Sequence, residues 1–217
     1  MLVFFSAAAS ILIASCDATT STQTDDGIPA VEAKQALQES GHASSDLGGA
    51  LEAYVDSDLY VVVDADIDMD GALDKVVSNA RNRGNELIFF KSTEGGYRTA
   101  LVSTNLTEDG GRILGEIKQA TGDVEDGEVV SIETFFPKGM DVATHYISYS
   151  NNEWELSRTV YKVSDWKNRE NVIYLCEVKQ GIPMRDLVSE EVVSMVRQIP
   201  DESVRDQVCK LESSPET

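Results

Sequence analysis

The 217-residue chain carries 38 acidic against 18 basic side chains, a formal net charge of −20, and 41% of its residues are hydrophobic. That apolar share supports a packed core and excludes global disorder. The length fits one domain of ordinary size with a small appendage. The acidity argues against nucleic acid, whose phosphates need Lys and Arg. It suits a cation or a basic protein partner, or it does no more than keep the protein soluble.

Taken in chain order, "MLVFFSAAASILIASC" opens with a short uncharged apolar run, Leu2 to Ile13. It is too short to span a bilayer, which takes about 20 residues, and fits the h-region of a secretion signal followed by small residues. Ile13-Ala14-Ser15-Cys16 resembles the bacterial lipobox, whose cysteine is lipidated and becomes the new N-terminus. No Lys or Arg precedes the run, a departure from the usual n-region. On this resemblance residues 1–15 are a lipoprotein signal and Cys16 is the membrane anchor, on the periplasmic side of a bacterial envelope. The alternative is a plain signal peptide with an incidental cysteine. Cys176 and Cys209 then remain, and in an oxidising compartment they can pair; two free buried thiols are the alternative.

Residues 16–29, polar and low in complexity, read as a flexible tether. "AVEAKQALQES" (30–40) is a candidate short helix, and Gly- and Ser-rich "GHASSDLGGA" (41–50) is loop-like. The span 30–57 is thus a helix-and-loop lead-in.

From about residue 58 the pattern turns to β. Candidate strands are "LYVVV" (59–63), "LDKVVSN" (73–79), "NELIFFK" (85–91), "YRTALVS" (97–103), "RILGEI" (112–117), "VVSIETFF" (129–136), "VATHYISYS" (142–150), "EWELSRTVYKV" (153–163) and "NVIYLCEV" (171–178). Asn151-Asn152 is a strong hairpin signal between two of them. Alternation puts Trp154, Leu156, Arg158, Val160 and Lys162 on one face. "PMRDLVSEEVVSMVRQI" then follows a 3.6-residue period through Met184, Leu187, Val188, Val192, Met195, Val196 and Ile199, and predicts a helix ended by Pro200. A shorter helix is expected within "DESVRDQVCKLE". The fold class is therefore mainly β (α+β): an antiparallel meander over 58–180, with a helical segment over 181–217.

"VVVDADIDMDGALDKVV" (61–77) holds five aspartates within eleven positions. Asp66, Asp68 and Asp70 alternate, Gly71 follows at once, and Asp74 lies four beyond Asp70. Counted from Asp66, acids fall at positions 1, 3, 5 and 9 with Gly at 6. Alternating acids on a tight turn converge, and Gly permits the turn. The carbonyl of Ala72, at position 7, is a candidate backbone ligand. An oxygen-only, charge-rich cage suits Ca2+ and lacks the His and Cys of zinc or copper sites. Asp64 is a candidate supporting or alternative ligand. The bland alternative is an acidic turn with no ion.

Val77 stands where an EF-hand has its bidentate glutamate, and the flanks read as strands. The loop instead resembles the D-x-D-x-D-G-x-x-D calcium loop of FG-GAP and VCBS-type repeats, which joins two strands of a propeller blade. One repeat matches clearly, so the resemblance implies a propeller-like or incomplete propeller domain. More loosely, residues 50 onward resemble bacterial envelope lipoproteins, some of which are immunity proteins against peptidoglycan-cleaving toxins. That resemblance implies a non-enzymatic module whose partner is a protein, such as a basic secreted toxin or peptidoglycan hydrolase. The alternative is a structural or adhesion-like envelope protein with a purely structural ion.

No nucleophile elbow, P-loop or zincin motif is present. His42, in a loop segment, and His145, in a strand segment, are the two histidines, and each reads as an ordinary surface or half-buried residue rather than a base. Asn105-Leu106-Thr107 matches a glycosylation sequon, which a bacterial lipoprotein would leave unused.

Overall fold

The computed structural model describes residues 49–107, 111–121, 125–137, 141–165, 172–188 and 190–213. The expected signal segment, Cys16, the tether and the helix within 30–40 lie outside these residues.

Among the described residues, a short helix α1 (Gly49–Val55) precedes four strands, β1 (Tyr60–Ala65), β2 (Asp74–Asn79), β3 (Glu86–Thr93) and β4 (Gly96–Thr104). They form one antiparallel sheet in sequence order. A second sheet is built from β5 (Ile113–Gln119), β6 (Glu128–Phe135), β7 (Val142–Ser150), β8 (Glu153–Ser164), β9 (Val172–Pro183) and β10 (Lys210–Ser213). Its order, β10-β9-β8-β7-β6-β5, is again a plain meander. The fold is thus mainly β and antiparallel, as the alternation and turn signals predict. The two sheets do not close into a barrel. Asn151 and Asn152, with φ of 51° and 61°, make the β7–β8 hairpin turn.

The main core lies between the sheets. Ala65, Ile67, Val76, Leu87 and Phe89 on one side meet Val130, Ile132, Ile147 and Leu156 on the other. The opposite face of the first sheet is also buried, with Val77, Ile88 and Phe90 covered by Leu51 and Tyr54 of α1. Burial on both faces explains why "LIFF" is a continuous apolar run rather than an alternating one.

Beyond the first sheet, Ala143, Tyr161, Val163, Tyr174 and Cys176 form a second cluster on the long strands. The chain around Ile199 and Cys209 covers it, and the Cys176–Cys209 disulfide pins that cover. Strict alternation along β8 fails at one point. A bulge between Leu156 and Arg158 resets the register. Leu156 pairs with Ile147 and Tyr161 with Ala143, two residues on one face of β7. Leu156 therefore shares its face with Tyr161 and Val163, while Arg158 takes the opposite face beside Tyr146.

The helix expected over 184–199 is broken into pieces. A 3-10 turn (Met184–Asp186) follows β9, and α2 (Glu190–Val193) is a single turn. Met184, Leu187 and Val196 are buried in the main core, but Val188 and Met195 are each 64% exposed. At the far end of this segment a competing demand comes from Gln180. Its side-chain oxygen accepts from the Arg197 N–H at 2.8 Å, and its amide donates to the Arg197 carbonyl at 2.9 Å. The Arg197 N–H held that way is not available to the last turn of a helical ladder. Further on, a 3-10 turn (Glu202–Val204) and α3 (Arg205–Val208) supply the shorter helix, and β10 returns the chain to the second sheet.

Candidate metal centre

The aspartate loop is the β1–β2 connection, closed by the Ala65–Asp74 pair at its base. It folds on its own carboxylates. Asp66 accepts from the Asp70 N–H at 3.1 Å and the Gly71 N–H at 3.0 Å. Asp70 Oδ1 accepts from the Ala72 N–H at 2.8 Å. Gly71 sits at φ +86°, a conformation that disfavours any side chain. Asp74, fully buried, accepts from the Ile67 N–H at 3.2 Å and from the Ser92 N–H at 2.6 Å, the latter across the sheet on β3. Ile67 itself is fully buried in the main core. Its carbonyl accepts from the Trp154 indole at 2.7 Å, which ties the loop to the second sheet.

This scaffold brings one oxygen each of Asp66, Asp68 and Asp74 within 4.8 Å of one another. The Asp68 side chain is 3% exposed. Its Oδ2 pairs with the ammonium of Lys91, on β3. Its Oδ1 is buried with no hydrogen-bond partner among the described residues. Buried polar atoms are rarely left so, because the missing bond costs about 1–3 kcal/mol and more for a charged group. The Lys91 ammonium also lies 3.3 Å from Asp70 Oδ2. The donor set is all oxygen and anionic, the chemistry of a hard cation. The cluster could hold a metal ion.

The protonation equilibria follow this geometry. The Ala72 N–H, helped by Lys91, holds the Asp70 carboxyl below its ordinary range. Burial pushes Asp74 up against the pull of its two backbone donors, and Asp68 and Asp70 add to the rise. Asp68 in turn holds the Lys91 ammonium charged more firmly than usual.

Of the predicted ligands, Asp66, Asp68 and Asp74 converge. Asp70 adjoins them through Lys91, with its other oxygen turned to Ala72. The engagement seen for Ala72 is through its N–H. Asp64 stands apart and pairs with Lys75, its cross-strand neighbour. Lys91 was not foreseen; it lies 23 residues from Asp68, and no local pattern links them. The expected Cys176–Cys209 bridge is present.

His145 is no surface or half-buried residue. It is buried, with Nε2 at 2.9 Å from Thr134 Oγ1 and Nδ1 at 3.1 Å from Thr159 Oγ1. Burial, and then the charge of Arg112, push its pKa down to about 3. A sealed neutral imidazole with both nitrogens engaged is a structural group rather than a base. Asn105 of the sequon is fully buried and donates to Ser78 Oγ at 2.9 Å, so it is not presented for glycosylation. No protein-family model matches the chain, and no curated protein or solved structure matches it significantly.

Proposed function

We propose that the loop from Asp66 to Asp74 binds Ca2+, and that the protein is an envelope-anchored, non-catalytic binding module whose sandwich this ion stiffens. The observation that carries the reading is the orphaned Asp68 Oδ1 inside the Asp66/Asp68/Asp74 cluster. A bound cation would give that oxygen a partner and relieve the crowding of carboxylates. Asp66 and Asp74 would be the prearranged ligands, since backbone N–H groups already fix both. The loop joins the first two strands of a four-stranded meander, as the loop it resembles joins two strands of an FG-GAP or VCBS-type blade. The lipobox-like Cys16 supports anchoring, and the −20 charge suits a basic protein partner, a secreted toxin or peptidoglycan hydrolase. In that role the protein is an immunity protein; with the ion purely structural, it is an envelope scaffold. Protection of cells against a secreted hydrolase separates these two.

Lys91 favours a second reading of the loop, in which its ammonium alone is the counter-ion. Melting curves in Ca2+ and in chelator decide between them. The expected result is a higher melting temperature in Ca2+ that Asp68→Ala abolishes. Coincident curves for the unaltered protein would remove Ca2+ from the account.

A further inference from the structure

We infer that Lys91 is the exchangeable counter-ion of the aspartate loop: its ammonium holds Asp68 and Asp70 until a divalent cation takes the cluster, and its displacement sets the affinity for that cation. The inference rests on the metal-binding reading above and adds a residue that tunes it.

Three carboxylates of the loop differ in how they are held. Asp66 and Asp74 are fixed by two backbone N–H groups each. A carboxylate oxygen has two lone-pair sites, so those bonds leave capacity for an ion. Asp68 has no backbone donor of this kind; its one partner among the described residues is Lys91, on Oδ2. Its other oxygen, Oδ1, is the buried orphan. A cation among Asp66, Asp68 and Asp74 would thus share the Asp68 carboxylate with the ammonium. Two cations on one carboxylate repel across a few ångströms of partly desolvated space, where the interaction is far stronger than in water.

Of the two, the ammonium is the one free to yield. The Asp68 side chain, 3% exposed, has no solvated position to retreat to, whereas the Lys91 side chain is 30% exposed. A lysine carries a compact charge on a flexible four-carbon stem, which can swing into water while the strand stays in place. The strand is held independently: Lys91 pairs with Arg98 on β4, and the next residue, Ser92, keeps its N–H on Asp74. The departing ammonium therefore disturbs neither the sheet nor the two prearranged ligands.

Calorimetric Ca2+ titration of the full chain and of Lys91→Met tests this, because methionine keeps an unbranched stem and deletes the charge. Removing one competing charge at this range is expected to tighten Ca2+ binding by about tenfold or more. Amine acetylation of the unaltered protein, read by mass spectrometry, is the second measurement and does not depend on the variant folding. Labelling of Lys91 is expected to rise on adding Ca2+, while Lys75, paired with Asp64 outside the cluster, stays constant. If Ca2+ binds the unaltered protein, yet Lys91→Met binds it no tighter and Lys91 labelling does not change, the exchange is overturned and the metal site stands. If neither protein binds Ca2+, the site falls and the exchange with it.

Discussion

Acidification from pH 7 to pH 5 puts a defined load on His145. The imidazole bridges Thr134 and Thr159, and Thr159 also accepts from the Gln180 amide at 3.2 Å. Buried, and with Arg112 nearby, it has a native pKa of about 3 against an ordinary 6.5. The sign follows directly. Below pH 6.5 the unfolded chain takes up a proton that the native state refuses, so stability falls with pH through the window from 6.5 to 3. At 1.36 kcal/mol per pKa unit, the loss from this group between pH 7 and pH 5 is about 2 kcal/mol. Urea unfolding at pH 7, 6 and 5 in chelator, on the unaltered protein and on His145→Gln, isolates it, because the carboxylates titrate alike in both. The variant is less stable at pH 7, and the gap between the two proteins is expected to shrink by about 2 kcal/mol at pH 5. A gap constant to within about 0.5 kcal/mol would refute the sealed, neutral histidine.

Two further predictions concern the second sheet. Arg158 donates to Glu128 from Nε at 2.7 Å and from Nη2 at 2.9 Å, a bidentate pair with both side chains nearly buried. Glu128→Ala is expected to cost about 3–5 kcal/mol in urea unfolding, and Glu128→Leu with Arg158→Met to recover most of that; losses that simply add would contradict the pairing. Replacing Cys176 and Cys209 by Ser opens a 33-residue closure, and a loss of roughly 3–4 kcal/mol is expected from chain entropy. A loss under about 1 kcal/mol would mean that the noncovalent contacts of the C-terminal segment suffice.

The strands were legible because their signals are local. Alternation, β-branched runs and the Asn151-Asn152 turn act over a few residues, and β7 falls where its sequence places it. The register of Asp66, Asp68 and Asp74 was legible because their spacing brings them together at one tight connection, whereas Asp70, in the same alternation, turns an oxygen to the Ala72 N–H instead. What escaped depends on partners distant in sequence. The 3.6-residue period over 184–199 is real, but the segment breaks after Asp186 and after Val193, and at its last turn Gln180 takes the Arg197 N–H. The bulge after Leu156 hides in a strand with no cleanly apolar face. Lys91 meets Asp68 only because β3 lies beside β2. His145 gives no sequence sign that its neighbours on β6 and β8 are threonines at bonding distance.

The bond from Trp154 to the Ile67 carbonyl has a mechanical consequence. The same indole packs edge-on against Phe89 at 5.6 Å and tilts against Tyr149 at 5.0 Å. Tyr149 in turn donates to Asn152, at the tip of the β7–β8 hairpin, at 3.2 Å. A displacement of Ile67 would therefore bear on more than the loop. It would press on a stack of rings that ends at a surface turn on the other sheet.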